Sequence, residues 1–179
     1  MKIIIASDIH GRIASARKLF DYIDEINPDK IFLLGDLLYN GPRNGVPDDY
    51  DPMEVANLIN KHLDKCELVK GNCDSRIDSD VIGKPLQDFI NIHIDERNFH
   101  LFHGDLSIPS DEIIEKGDIL CSGHTHIWVL EDIDGLIHLN PGSIGFPKGG
   151  NPSTLAIYED GYLKIINLDN KEIIKSICL

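Results

Sequence analysis

The chain is predicted to be an α/β (α+β) sandwich of four layers, with two mixed β-sheets packed face to face and helices flanking them. Three observations predict this. The front of the sequence alternates short apolar runs with stretches of helical periodicity, the pattern of a βαβαβ order with parallel strands. The back is rich in apolar runs joined by turn residues, which read as hairpins. Finally, five apolar runs each give out at a side chain that can bind a metal. Ile3 to Ala6 precedes Asp8, Ile31 to Leu34 precedes Asp36, and Leu68 and Val69 precede Asn72. Leu101 and Phe102 precede His103, and Ile119 to Cys121 precedes His124. Five strand ends carrying oxygen and nitrogen donors imply a metal centre along one edge of a sheet.

Lys2 to Ser7 reads as a buried first strand, nearly continuous in Ile and Ala. Gly11 allows a tight turn after Asp8-Ile9-His10. Ile13, Ala16, Leu19, Phe20, Ile23 and Ile26 then recur at helical spacing until Pro28. Lys30 to Leu34 is a second strand ending at Gly35-Asp36, so the unit implies parallel neighbours joined by a crossover. A polar loop from Tyr39 to Tyr50 follows. Asp51-Pro52-Met53-Glu54 is a helix start, with an acidic N-cap, Pro at the first position and Glu at the third. Val55, Leu58, Ile59, His62 and Leu63 give this helix its apolar face, with His62 at the rim.

Glu67 to Lys70 is the third strand, delivering Gly71-Asn72, and a loop runs on through Asp80 and Pro85. Phe89 to Ile94 and Phe99 to Phe102 form a hairpin around Asp95 to Asn98. Ser110 starts a short helix, and Asp118 to Ser122 is another strand. Two further hairpins turn at Asp134-Gly135 and at Glu159-Asp160-Gly161, and a last strand runs from Glu172 to Ile177.

At 179 residues the chain suffices for a single domain, residues 1–179, with a proper core. A formal net charge of −13 argues against a protein that coats nucleic acid, which needs a basic stripe to displace counterions, so no strong nucleic-acid binding is expected. The first apolar run is too short for a signal peptide or a membrane span, so the cytoplasm is expected and no membrane partner. The four cysteines, Cys66, Cys73, Cys121 and Cys178, have no regular spacing and are expected as free thiols.

Asp8 and His10 stand two apart, and His124 and His126 repeat that spacing. On an extended strand end, residues i and i+2 point to the same side, so each pair would converge on one ion. Each motif alone has an ordinary reading as a turn or a helix cap. Together, D-x-H, G-D, G-N, H-G and G-H-x-H in this order, each after an apolar run, resemble the calcineurin-like metallophosphoesterase superfamily. Within it the chain is similar to the small, single-domain YfcE-type phosphodiesterases. The resemblance also takes in Asn40 to Asn44, Asn140-Pro141-Gly142-Ser143 and Pro147 to Gly150.

This resemblance implies a metallo-dependent phosphatase-like fold and two divalent ions. Asp8, His10 and His126 would hold the first ion, Asn72, His103 and His124 the second, and Asp36 would bridge them. Imidazole, carboxylate and amide oxygen together suit Mn²⁺, the foremost expectation, or Ni²⁺, Fe²⁺, Zn²⁺ or Co²⁺, rather than Ca²⁺ or Mg²⁺ cages. The implied activity is that of a metal-dependent phosphoric diester hydrolase acting on a small phosphodiester. Its ions would activate a bridging hydroxide for in-line attack.

Among the residues expected to serve catalysis are Asp36 and Asn72. Arg43 or Asn44 would grip a phosphate oxygen, and Asp74 would orient a metal-bound histidine, its other reading being a helix cap. Many superfamily members carry His where this chain has Cys73, and that His is assigned to the substrate or its leaving group. A thiol is a poor general acid, so phosphomonoesters are expected to be cleaved weakly. The alternative from a different class is a protein-interaction scaffold, as in a retromer subunit that shares the fold with an impaired metal site. The intact ligand set speaks against it. A homo-oligomer is compatible with either reading.

Overall fold

In the computed structural model, which describes residues 1–179, eleven strands and three helices follow one another. They are β1 (Lys2–Ala6), α1 (Ile13–Ile26), β2 (Lys30–Leu33), α2 (Pro52–Asn60), β3 (Cys66–Leu68), α3 (Arg76–Ile82) and β4 (Phe89–Ile94). Then come β5 (Arg97–Phe102), β6 (Ile119–Cys121), β7 (Val129–Ile133), β8 (Leu136–Asn140), β9 (Thr154–Glu159), β10 (Tyr162–Asn167) and β11 (Ile173–Cys178).

β1 sits inside a six-stranded sheet, in the order β11-β10-β9-β1-β2-β3, because both its faces are apolar. Ile4 and Ala6 face the helices, where they join Leu19, Phe20, Val55 and Ile59. Ile3 and Ile5 face the other way, into a core shared with Phe99, Leu101, Ile119 and Leu139 of a five-stranded sheet, β4-β5-β6-β8-β7. The alternation of side chains along one strand thus builds two cores at once.

Both sheets are mixed. β1, β2 and β3 are parallel, as are β5, β6 and β8, while the hairpins supply the antiparallel pairs. The parallel strands matter for function, because their C-terminal ends, and the loops that follow, gather at one edge of the sandwich. Binding sites in open α/β sheets lie outside such ends.

Two face-to-face mixed sheets with helices outside are as expected, and so are the three hairpins, but all three helices pack on the six-stranded sheet, so the fourth layer of the expectation is not helical. Two further details differ. The helix expected from Ser110 does not form, and residues 110–117 are turns and irregular chain. Glu112 in that stretch reaches Asn91 and lies 3.3 Å from the fully buried His100, covering the outer face of the five-stranded sheet. Conversely, α3 forms where a loop was expected. Its signature was a capping box, in which Ser75 and Asp78 bond each other's backbone and side chains. Seven residues are too few for the periodicity to show.

Candidate metal centre

The ligand residues follow their strands in a conformation the sequence does not announce. Asp8, His10, Asp36, His124 and His126 all have positive φ, between 53° and 66°. The expectation of an extended strand end, with i and i+2 sharing a side, is therefore incorrect. Each pair converges through a left-handed backbone that non-glycine residues seldom adopt, at a cost of order 1–3 kcal/mol per residue. Backbone hydrogen bonds between the loops hold the strain. Asp8 N–H donates to Gly35 O, His10 N–H to Asp36 O, Gly123 N–H to His103 O and Gly145 N–H to Asp8 O, at 2.8–3.1 Å.

Asp8, His10 and His126 form one buried donor group. Asp8 Oδ1 lies 3.6 Å from His10 Nε2 and 3.3 Å from His126 Nε2. Asp36 and His103 form a second group, to which Asp8 also belongs. Asp36 Oδ2 sits between the groups, 3.6 Å from His10 Nε2 and 3.5 Å from His103 Nε2. His124 packs its ring edge-on against His103 at 5.1 Å between centroids, and its N–H donates to Asp8 Oδ2. Asn72 is exposed at the lip of the cleft, its amide 3.3 Å from Cys73 Sγ.

Three histidines are oriented by backbone carbonyls. The Nδ1–H groups of His10, His103 and His126 donate to Tyr39, Leu34 and Phe146 O at 2.8, 2.7 and 2.6 Å. A carbonyl can only accept, so each ring, once neutral, turns a bare Nε2 lone pair inward, the arrangement typical of histidine ligands.

The sequence reading of Asp74 is corrected. Asp74 hydrogen-bonds to no histidine. Its Oδ2 accepts the N–H groups of Asp36 and Gly71 at 2.7 and 2.8 Å, and its Oδ1 accepts that of Leu37 at 2.8 Å. It thus joins the loops after β2 and β3 and sets the direction of Asp36. Gly71 is required beside it, because a Cβ there would overlap the Asp36 carboxylate and backbone.

Asn140 and Ser143 also position ligands, a role the sequence did not disclose. Asn140 Nδ2 donates to Gly123 O at 2.6 Å, and Ser143 Oγ donates to Asp8 O at 2.9 Å. Their only signal was the motif that carried them.

His10, Asp36, Asn72, His124 and His126 floor a cleft of about 770 Å³, whose walls include Arg43, Asn44, Thr125 and Lys148. Arg43 and Lys148 are exposed and project positive charge over a negative floor, and Lys148 is a wall residue not singled out from sequence. Asn44 is tied back, its amide donating to Asn40 O at 2.8 Å.

The floor is built for cations. Asp8 Oδ1 and His103 Nε2 are buried without any hydrogen-bond partner, which is costly unless something charged meets them. Burial pushes the Asp36 carboxyl up, but the His103 ring outweighs it and holds the carboxyl down at about 2. Burial opposes charge on His103 in the same way, but Asp36 and Asp8 raise its pKa to about 9. The raised His103 value reports the negative potential of the two carboxylates, and the lowered Asp36 value its pairing with that ring; a divalent ion would stand where the His103 proton does. Burial, with Asp36 beside it, pushes the Cys73 thiol up to about 12, so it stands as a neutral thiol.

Comparison with known proteins agrees with this geometry. A family model described as the calcineurin-like phosphoesterase superfamily domain matches residues 1–160. Phosphodiesterase YfcE of Escherichia coli K12 is 33% identical over 181 aligned positions, covering 100% of this chain and 98% of that one. The solved structure of YfcE, a phosphoesterase from E. coli, superposes with a TM-score of 0.94 over 99% of both chains. Vacuolar protein sorting 29 of Cryptosporidium parvum shares the fold at a TM-score of 0.66 and 17% identity, covering 99% of this chain and 98% of that one.

Proposed function

The chain belongs to the calcineurin-like phosphoesterase superfamily, and from that premise we propose that it is a divalent-metal-dependent phosphodiesterase with a dinuclear centre, weak on phosphomonoesters. The observation that carries this reading is Asp36 Oδ2 standing between His10 and His103, with the unpartnered Asp8 Oδ1 and His103 Nε2 beside it. Asp8, His10 and His126 would hold one ion and Asn72, His103 and His124 the other, with Asp36 shared. Manganese is the foremost occupant, as the mixed nitrogen and oxygen donors suit it. A bound pair of such ions supplies Lewis acidity, neutralising phosphate charge and making a water nucleophilic at neutral pH.

The chain's own residues supply the rest. Asp74 and Gly71 hold Asp36 in register, while carbonyl oxygens fix the histidine tautomers. Arg43 and Lys148, on the cleft wall, would meet phosphate oxygens left free by the floor. Cys73 fits the selectivity. A general acid works best with a pKa near the operating pH, and the ordinary value of a thiol lies above it. Diesters with good leaving groups scarcely need that proton, whereas alkyl monoesters do. The full ligand set argues against the scaffold reading.

The test compares steady-state rates on bis(p-nitrophenyl) phosphate and p-nitrophenyl phosphate, in metal-free protein and with added Mn²⁺. Metal-dependent cleavage that favours the diester is expected. Inactivity with every divalent metal tried would overturn the reading.

A further inference from the structure

A second cavity adjoins the metal cleft. It measures about 460 Å³, within the range of small-molecule sites. Leu38, Tyr39, Tyr50, Pro52, Met53 and Val81 wall it, and Tyr39 and Cys73 line both cavities, so the two adjoin at those residues. The loop after β2, the start of α2 and the body of α3 meet there. Met53 and Tyr39 are 57% and 44% exposed, large apolar groups held in solvent at the rim with no protein partner covering them.

The chemistry of the walls narrows the occupant. No lysine or arginine lines the cavity, and its one ionisable carboxylate is Asp78. A second phosphate or other anionic group is therefore disfavoured. Ser75 and Asp78 are engaged with each other, the Ser75 hydroxyl and N–H donating to Asp78 at 2.9 and 2.8 Å. What remains on offer is apolar and aromatic surface, suited to a ring.

We propose that this cavity is the subsite for an apolar, ring-bearing ester group of a phosphodiester whose phosphate occupies the metal cleft. The proposal rests on the phosphodiesterase reading and names its substrate class: phosphate diesters carrying at least one uncharged aromatic or alicyclic group. Tyr39 is the divider, with its carbonyl fixing His10 on one side and its side chain walling the subsite.

Phenylphosphonate and methylphosphonate test this without turnover, since each pairs one phosphorus anion with one organic group. Calorimetric titration of the Mn²⁺-loaded protein is expected to show phenylphosphonate binding about tenfold more tightly, from burial of the ring. Met53 is exposed, so Met53→Ala leaves the fold intact. It is expected to reduce that preference about threefold while leaving methylphosphonate affinity unchanged. Equal affinities in the wild type, or an undiminished preference in the variant, would overturn the subsite while diester turnover stands. Absence of both phosphonate binding and metal-dependent turnover of bis(p-nitrophenyl) phosphate would overturn the phosphodiesterase reading, and the subsite with it.

Discussion

His10 and His126 face each other through Nε2 atoms 3.3 Å apart, while each gives its Nδ1 proton to a carbonyl oxygen. Two neutral rings so held turn lone pairs toward one another, an arrangement that is unfavourable until a cation joins them. Metal removal should therefore cost stability as well as activity. An ion present at a hundred times its dissociation constant stabilises the folded state by about 2.7 kcal/mol. For a chain of this length that corresponds to a fall of roughly 5–10 °C in Tm after chelation. Calorimetry with and without Mn²⁺ checks it, and an unchanged Tm would count against a structured ion site.

Asp74 acts on the centre through the backbone. Replacing it with Asn in either amide orientation sets an NH₂ group against the N–H of Leu37, or against those of Asp36 and Gly71. Asp74→Asn should lose about 1–3 kcal/mol in urea unfolding of the metal-free protein. It should also weaken Mn²⁺ binding about 10–100-fold, as loss of a ligand's supporting partner commonly does. A variant with wild-type metal affinity would show that Asp36 needs no such support.

Cys73→His should raise monoesterase activity relative to diesterase activity, because an imidazole titrates near neutrality where the thiol does not. Space favours the change. Cys73 is half-buried and lines the open cleft, into which a larger ring can extend. The ratio of rates on p-nitrophenyl phosphate and its bis-ester measures the outcome. A ratio that does not move would mean that protonation of the leaving group does not limit the wild type.

Asp118 predicts a pH dependence remote from the metals. Burial pushes its carboxyl up, but hydrogen bonds from Glu115 N–H, His100 Nε2 and Asn98 Nδ2, at 2.9–3.1 Å, outweigh this and hold it below the usual carboxylate range. A depressed folded-state pKa contributes stability above the unfolded value of about 4, and that contribution is lost as pH falls through the folded value. The stability gap between wild type and Asp118→Asn should be constant above about pH 5 and shrink below about pH 4. Urea midpoints at several pH values give the answer. A gap that does not narrow in acid would show that the carboxylate's charge is not what stabilises this contact.

Much of the fold was legible in the sequence because its signals are local. Ile3 to Ala6, with no polar residue, reads as a strand buried on both faces, and it is one. Asp51-Pro52-Met53-Glu54 started a helix as expected, with the Asp51 carboxylate accepting Glu54 N–H at 3.1 Å. Ser110 misled, since a serine before acidic residues resembles an N-cap, yet Glu112 engages Asn91 and His100 instead. A tertiary contact overrode the local preference.

The donor residues of the centre, their order along the chain and their place just past apolar runs were determined by the sequence alone. Side-chain chemistry and strand periodicity are written residue by residue. How those donors converge was decided only by the tertiary structure. The left-handed turns at Asp8, His10, Asp36, His124 and His126 exist because loops distant in sequence hydrogen-bond across the sheet edge. The same holds for Asp74, whose partners come from two separate strand ends, and for the apolar cavity shared by the loop after β2, α2 and α3. Such features depend on long-range packing, which sets backbone conformations that local preference opposes.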